Sequence, residues 1–147
     1  MHVDRVEAKK LVEEALRKFG VDPAAVIVKD EPGQSVWSLK RGSASVLVSL
    51  FARGEKEALR IVAPVLYFDA SRKADLFPRL LELNTEGLQS CAFGLVKDLV
   101  ICVGERPLAG LDLAEVEHII EHVAAVADTY DDRLVAEFGG RRASDQA

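Results

Sequence analysis

The sequence predicts an α+β fold: a single domain with a mainly antiparallel sheet of five to six strands and the element order α-β-β-β-α-β-β-α. Three observations carry that expectation. Between residues 36 and 68, runs of alternating apolar residues follow one another through short turns, as neighbouring antiparallel strands do. Residues 88–104 read as a hairpin that is apolar on both faces, whereas a hairpin with one solvated side alternates. The hairpin runs into one long amphipathic helix closed by Gly139-Gly140. The domain is expected to fill residues 1–140, leaving the small, polar residues 141–147 as a disordered tail.

Each element has its own local reason. Asp4 and Glu7 form an Asp-x-x-Glu capping box. Leu11, Val12, Ala15, Leu16 and Phe19 then recur at helical spacing until Gly20 and Pro23, which predicts a helix over residues 5–19. Residues 26–28 suggest a short strand, and Pro32-Gly33 a turn. Residues 36–40 form a strand with Trp37 and Leu39 on one face, and Arg41-Gly42 turns it. Over residues 44–52, Val46, Val48 and Leu50 point one way, and Ser45, Leu47, Ser49 and Phe51 the other. Residues 58–68 place Leu59, Ile61, Ala63 and Val65 on one face. Pairing across the loop at Gly54 sets Leu50 beside Leu59 and Val48 beside Ile61, one continuous apolar face. Pro64, which lacks an N–H for a ladder, marks an edge position or a break.

Residues 71–85 read as a helix whose buried side is Leu80, Leu81 and Leu83, with Pro78 near its first turn or kinking it. In the hairpin, Cys91, Phe93, Leu95, Val100 and Cys102 share one face, and Ala92, Val96, Leu99, Ile101 and Val103 the other. Asp112 and Glu115 make a second capping box, with Leu111 and Val116 as its hydrophobic staple. Leu113, Val116, Ile120, Val123, Ala127, Tyr130 and Leu134 follow on one stripe, and the helix is roughly 39 Å long if unbroken.

Composition narrows the function classes. Apolar residues make up 49% of the 147, and 29% are charged, so the body of the chain has a core to fold around. Nineteen basic residues against twenty-four acidic ones give a net charge of −5, which argues against nucleic-acid binding. Arg53, Lys56 and Arg60, the nearest thing to a basic cluster, fit a solvated strand and turn. The first ten residues are charged and lack a leader's apolar core, and no apolar run has the length of a membrane span. The expectation is therefore a cytoplasmic protein without a membrane partner. Two cysteines do not make a disulfide framework.

No constellation of catalytic residues stands out, and the expectation is a non-enzyme without cofactor or metal. His118, Glu121 and His122 match the His-x-x-Glu-His pattern of inverted zinc peptidases. The helical wheel, however, turns both histidines to solvent with no third ligand. His2 sits at a frayed terminus. Cys91 and Cys102 occupy diagonal hairpin positions about 7–8 Å apart, outside ordinary disulfide reach, and read as buried, inert thiols. Asp128, Asp131 and Asp132 lack the glycine and terminal glutamate of a calcium loop and read as a solvated face. Trp37 reads as core.

Two surfaces remain as candidates. The second face of the central strands mixes Leu47, Phe51 and Val62 with Ser45, Ser49 and Arg60. That mixture suits a protein client held in extended form, and a free edge near Pro64 could pair with a guest strand. The net charge of −5 favours clients with basic segments. The greasy hairpin needs a second cover, which points to a homodimer through Val96, Leu99, Ile101 and Val103 or along the helix over residues 71–85.

The sequence also carries Leu80-Leu81-Glu82-Leu83-Asn84, then Phe93-Gly94-Leu95 and Leu99-Val100-Ile101. Pro107-Leu108 through Leu111-Asp112 and Ala127-Asp128-Thr129-Tyr130-Asp131 follow. With the element order, these segments make residues 5–140 resemble the type III secretion chaperone fold, and within it the YbjN family. The resemblance implies a homodimer without enzymatic activity. The secretion chaperones hold extended segments of a secreted effector, whereas the YbjN branch is described as a sensory-transduction regulator. A regulatory or structural dimer with no client groove is therefore the alternative.

Overall fold

A computed structural model describes residues 3–145. His2 and the last two residues of the expected tail, 146 and 147, lie outside the described residues. Helix α1 spans Arg5–Lys18 and begins as the capping box requires, with the Asp4 carboxylate accepting from the Glu7 N–H. A short helix, α2 (Pro23–Val26), follows where the sequence suggested the start of a strand. Proline is at home in a first turn, and the Asp22 side chain caps it. The strand starts one residue later, as β1 (Ile27–Glu31).

Strands β2 (Gln34–Arg41), β3 (Ala44–Arg53) and β4 (Lys56–Tyr67) come next. Helix α3 spans Lys73–Thr85. The hairpin is β5 (Ala92–Val96) with β6 (Leu99–Pro107), and α4 spans Leu113–Phe138 unbroken. A last strand, β7 (Arg141–Arg142), and a 3-10 turn over Ala143–Asp145 end the described chain.

The fold is α+β, with every pairing antiparallel and seven strands among the described residues, one more than the upper expectation. The order is β1-β2-β3-β4-β6-β5, with β7 on β4. Register follows the apolar faces: Leu50 lies opposite Leu59 and Val48 opposite Ile61. Pro64 is in an interior strand, not at an edge. The β3–β4 ladder ends at Val62, and the β4–β6 ladder is irregular between Pro64 and Leu66. The missing N–H is thus tolerated where regular pairing stops.

All the major helices cover one face. Helix α4 lies across β3, β4 and β6, α1 packs on α4 and β3, and α3 packs beside β5 and against α4. Beneath them Trp37, Val46, Val48, Leu50, Leu59, Ile61 and Ala63 are buried. Each fully buried Val, Leu or Ile contributes roughly 1.5–3 kcal/mol relative to exposure. Gly104 lets α4 approach β6: a Cβ there would stand 2.8 Å from the Ser90 carbonyl oxygen and 3.0 Å from Ile119 Cγ2.

Two expectations are corrected here. Leu81 is 67% exposed; the buried side of α3 is Leu76, Leu80 and Leu83, because the helix meets the sheet on a narrow stripe. Residues 141–145, expected as a disordered tail, instead lie against β4. Two ladder pairs and the ion pair of Arg142 with Asp132 hold them there, and Arg142 also pairs with Asp145 inside the segment.

Candidate functional site: the bare face of the sheet

Among the described residues no helix covers the second face of the sheet, and its composition follows from strand alternation. Leu47, Ser45, Ser49 and Phe51 of β3 point there because Val46, Val48 and Leu50 point into the core. The cross-strand register sorts the face into rows. One row is apolar but for its first member: Ser38, Leu47, Val62, Val103 and Ala92 stand opposite one another from β2 to β5. The next row is polar beyond Val36, with Ser49, Arg60 and Glu105. The Arg60 guanidinium meets the Glu105 carboxylate at 3.0 Å, and Arg53 reaches the same carboxylate at 3.4 Å. A third row holds Gln34, Phe51, Ala58 and Pro107, and the Arg53 guanidinium lies 5.3 Å from the Phe51 ring centroid.

Leu47 is 39% exposed, and Phe51, Val62, Ser45, Ser49 and Arg60 are half-buried, none of them under a helix. On the far side of the same face, Val96 is 50% exposed, Leu99 and Val103 are half-buried, and Ile101 is buried. Pro64 stands opposite Ile101, and Val62 opposite Val103. The two candidate surfaces read from the sequence are therefore halves of one surface. The hairpin's other face is core, with Phe93, Val100 and Cys102 buried, although Leu95 at its tip is 45% exposed.

Several side chains have structural work that sequence reasoning missed. The Asn84 side chain takes both backbone groups of Phe93, its Oδ1 accepting from the N–H at 2.7 Å and its Nδ2 donating to the carbonyl at 3.2 Å. Those bonds close the outer edge of β5 at that residue. Tyr130 stacks edge-on against Phe93, with centroids 5.6 Å apart.

The three aspartates of α4 form a clamp, with Asp128 and Asp132 on its exposed side. Asp128 accepts from the Ser43 N–H at 3.1 Å and from its hydroxyl, which also lies 3.0 Å from Asp131. Asp131 is buried, and Asp132 pairs with Arg142 at 2.9 Å. The Ser43 hydrogen bonds hold the Asp128 carboxyl below the usual carboxylate value.

The histidines are not both exposed. His118 is, but His122 is half-buried, its Nε2 hydrogen-bonded to the Leu88 carbonyl, with the two rings stacked 5.4 Å apart. His122 thus ties α4 to the segment leading into β5. Cys102 is buried and Cys91 half-buried, and both are free. A hydrogen bond with Cys91 and burial push the Cys102 thiol up, so it stays protonated. Trp37 is buried core.

Among the described residues, no group of three or more His, Cys, Asp or Glu is placed to hold a metal ion. No helix among them is long and apolar enough to cross a membrane.

The architecture recurs in solved structures. The ExsC–ExsE complex matches with a TM-score of 0.64 at 19% identity, over 90% of this chain and 97% of that chain. The HopA1–SchA chaperone–effector complex matches with 0.59 at 15% identity, over 89% and 99%. The heterodimeric ExoU–SpcU complex from the type III secretion system of Pseudomonas aeruginosa matches with 0.58 at 12% identity, over 86% and 96%. At these identities the likeness is one of fold. No curated protein matches the chain. A family model covering residues 6–146 does match, and the chain belongs to that family, the T3SS (YopN, CesT) and YbjN peptide-binding chaperones, group 1.

Proposed function

We propose that the bare face of the sheet holds an extended segment of a protein partner and that the chain works as a homodimer without catalysis. The observation that carries the reading is the uncovered apolar row Leu47–Val62 beside the polar row Ser49–Arg60. Apolar side chains of a guest have somewhere to go on the first row, and its polar groups find donors and acceptors on the second. Ser45 and Phe51 widen the patch on either side. The family and the HopA1–SchA chaperone–effector complex of like fold support the same class of partner. The two halves of the face divide the work: β2–β4 take the client, and Val96, Leu99, Ile101 and Val103 at the hairpin meet a second copy.

A fluorescently labelled, reduced and carboxyamidomethylated lysozyme, a basic unfolded chain, is a suitable probe. Phe51→Asp weakens its binding at least tenfold and leaves the melting temperature within about 2 °C, since the position is not core. The added negative charge would strengthen merely ionic attraction to a basic chain, so the direction separates the two causes. Undiminished binding by Phe51→Asp removes the client site and leaves the regulatory dimer as the better reading.

A further inference from the structure

Strand β4 outruns its neighbour. The β3 ladder stops at Leu47 opposite Val62, yet β4 continues to Tyr67. Its other edge is occupied by β6 from Ala58 onward, which pairs with Leu66 and Tyr67 as well. The edge beyond β3 would be open, but β7 fills it, with Arg142 opposite Leu66 and Arg141 opposite Tyr67. This is the free edge that the sequence suggested for a guest strand, and the chain's own segment sits in it.

The segment is placed by specific features. Gly139 and Gly140 both have positive φ, at 76° and 84°. A Cβ at Gly140 would overlap the Tyr67 carbonyl oxygen, so only glycine brings the backbone this close. The Arg141 guanidinium lies 4.7 Å from the Tyr67 ring centroid. The Arg142 guanidinium bonds Asp132 at 2.9 Å and Asp145 at 2.7 Å and 3.1 Å. The hold is nevertheless light. Two ladder pairs are the least a strand can have, and solvent-exposed ion pairs are weak and screened by salt.

We propose that residues 141–145 are a displaceable gate on the β4 edge. They also imprint its guest: an extended segment with two consecutive basic residues, one over Tyr67 and one against Asp132. The proposal rests on the reading that this chain holds extended protein segments, and it adds where a guest strand enters and what chemistry selects it.

The test compares the full chain, a chain truncated after Gly140, and the full-length Gly140→Ala variant. Gly140→Ala ejects the segment without deleting it and serves if truncation harms folding. Amide exchange over residues 63–67 is expected to quicken in both variants. Both are expected to bind the labelled unfolded lysozyme at least fivefold more tightly than the full chain. A peptide copying residues 139–147 is expected to compete with lysozyme for the truncated chain, and the same peptide carrying Arg142→Glu is not. Equal lysozyme affinity in all three proteins, still sensitive to Phe51→Asp, overturns the gate and leaves the bare-face reading standing. No lysozyme binding by any of the three sinks both. Equal competition by both peptides overturns the basic-pair imprint.

Discussion

Asp131 is buried at 4% exposure, and its carboxylate reaches the Ser43 hydroxyl at 3.0 Å across the sheet-to-helix gap. The hydroxyl has one proton and keeps Asp128 as an acceptor, so Asp131→Ala is expected to cost only about 0.5–1.5 kcal/mol in urea denaturation. Asp128 acts from the exposed side of the same clamp, and the sign of its pH dependence follows from the shift. Its folded value is lowered, so the stabilisation is fully present above the ordinary carboxylate range. It is lost as pH falls below about 4 toward the folded value. Asp145, lowered by Arg142, Asp30, lowered by Lys9 and Ser35, and Asp69, lowered by Ser71, act in the same direction. Thermal melts should therefore be nearly flat from pH 8 to 5 and fall below about pH 4, and Asp128→Asn should shallow that acid limb. An acid limb identical in Asp128→Asn would remove the clamp from the account. None of this was legible in the sequence. Helical spacing says which residues share a stripe, but not that a turn 85 positions earlier will close over the stripe's edge.

The register of β3 against β4 was readable because one buried face leaves only one alignment without exposing Val48, Leu50, Leu59 and Ile61. The capping boxes of α1 and α4 were equally plain, since Asp4 and Asp112 each accept from the N–H three residues on. Less legible were elements whose placement depends on the rest of the fold. Alternation could not show that Asn84 would finish the β5 edge, or that two residues after Gly140 would become a strand. The close approach of α4 to β6 offers a test at this scale. Gly104→Ala drives a methyl into the Ser90 backbone and Ile119, and overpacking of this kind typically costs about 1–3 kcal/mol. Chemical denaturation measures it, and a loss under 0.5 kcal/mol would mean that the helix shifts freely over the sheet.

The molecule as a whole is a sheet with all its major helices on one side, and the proposed homodimer draws on the other. Val96 is half-exposed at the hairpin tip, so a charge there tests assembly without touching the core. Light scattering at micromolar concentration should give twice the chain mass for the wild type and the single chain mass for Val96→Asp, at similar melting temperatures. A wild type of single mass removes the dimer. The one-sided architecture has an optical consequence too. The chain has one tryptophan, and Trp37 is fully buried beneath the helices, on the side of the sheet away from Leu47 and Phe51. Its emission is a clean reporter of unfolding, and it is shielded from anything that settles on the opposite side. A titration with a tryptophan-free guest, followed by Trp37 emission, would look blank even at saturation, so occupancy has to be read from a label on the guest.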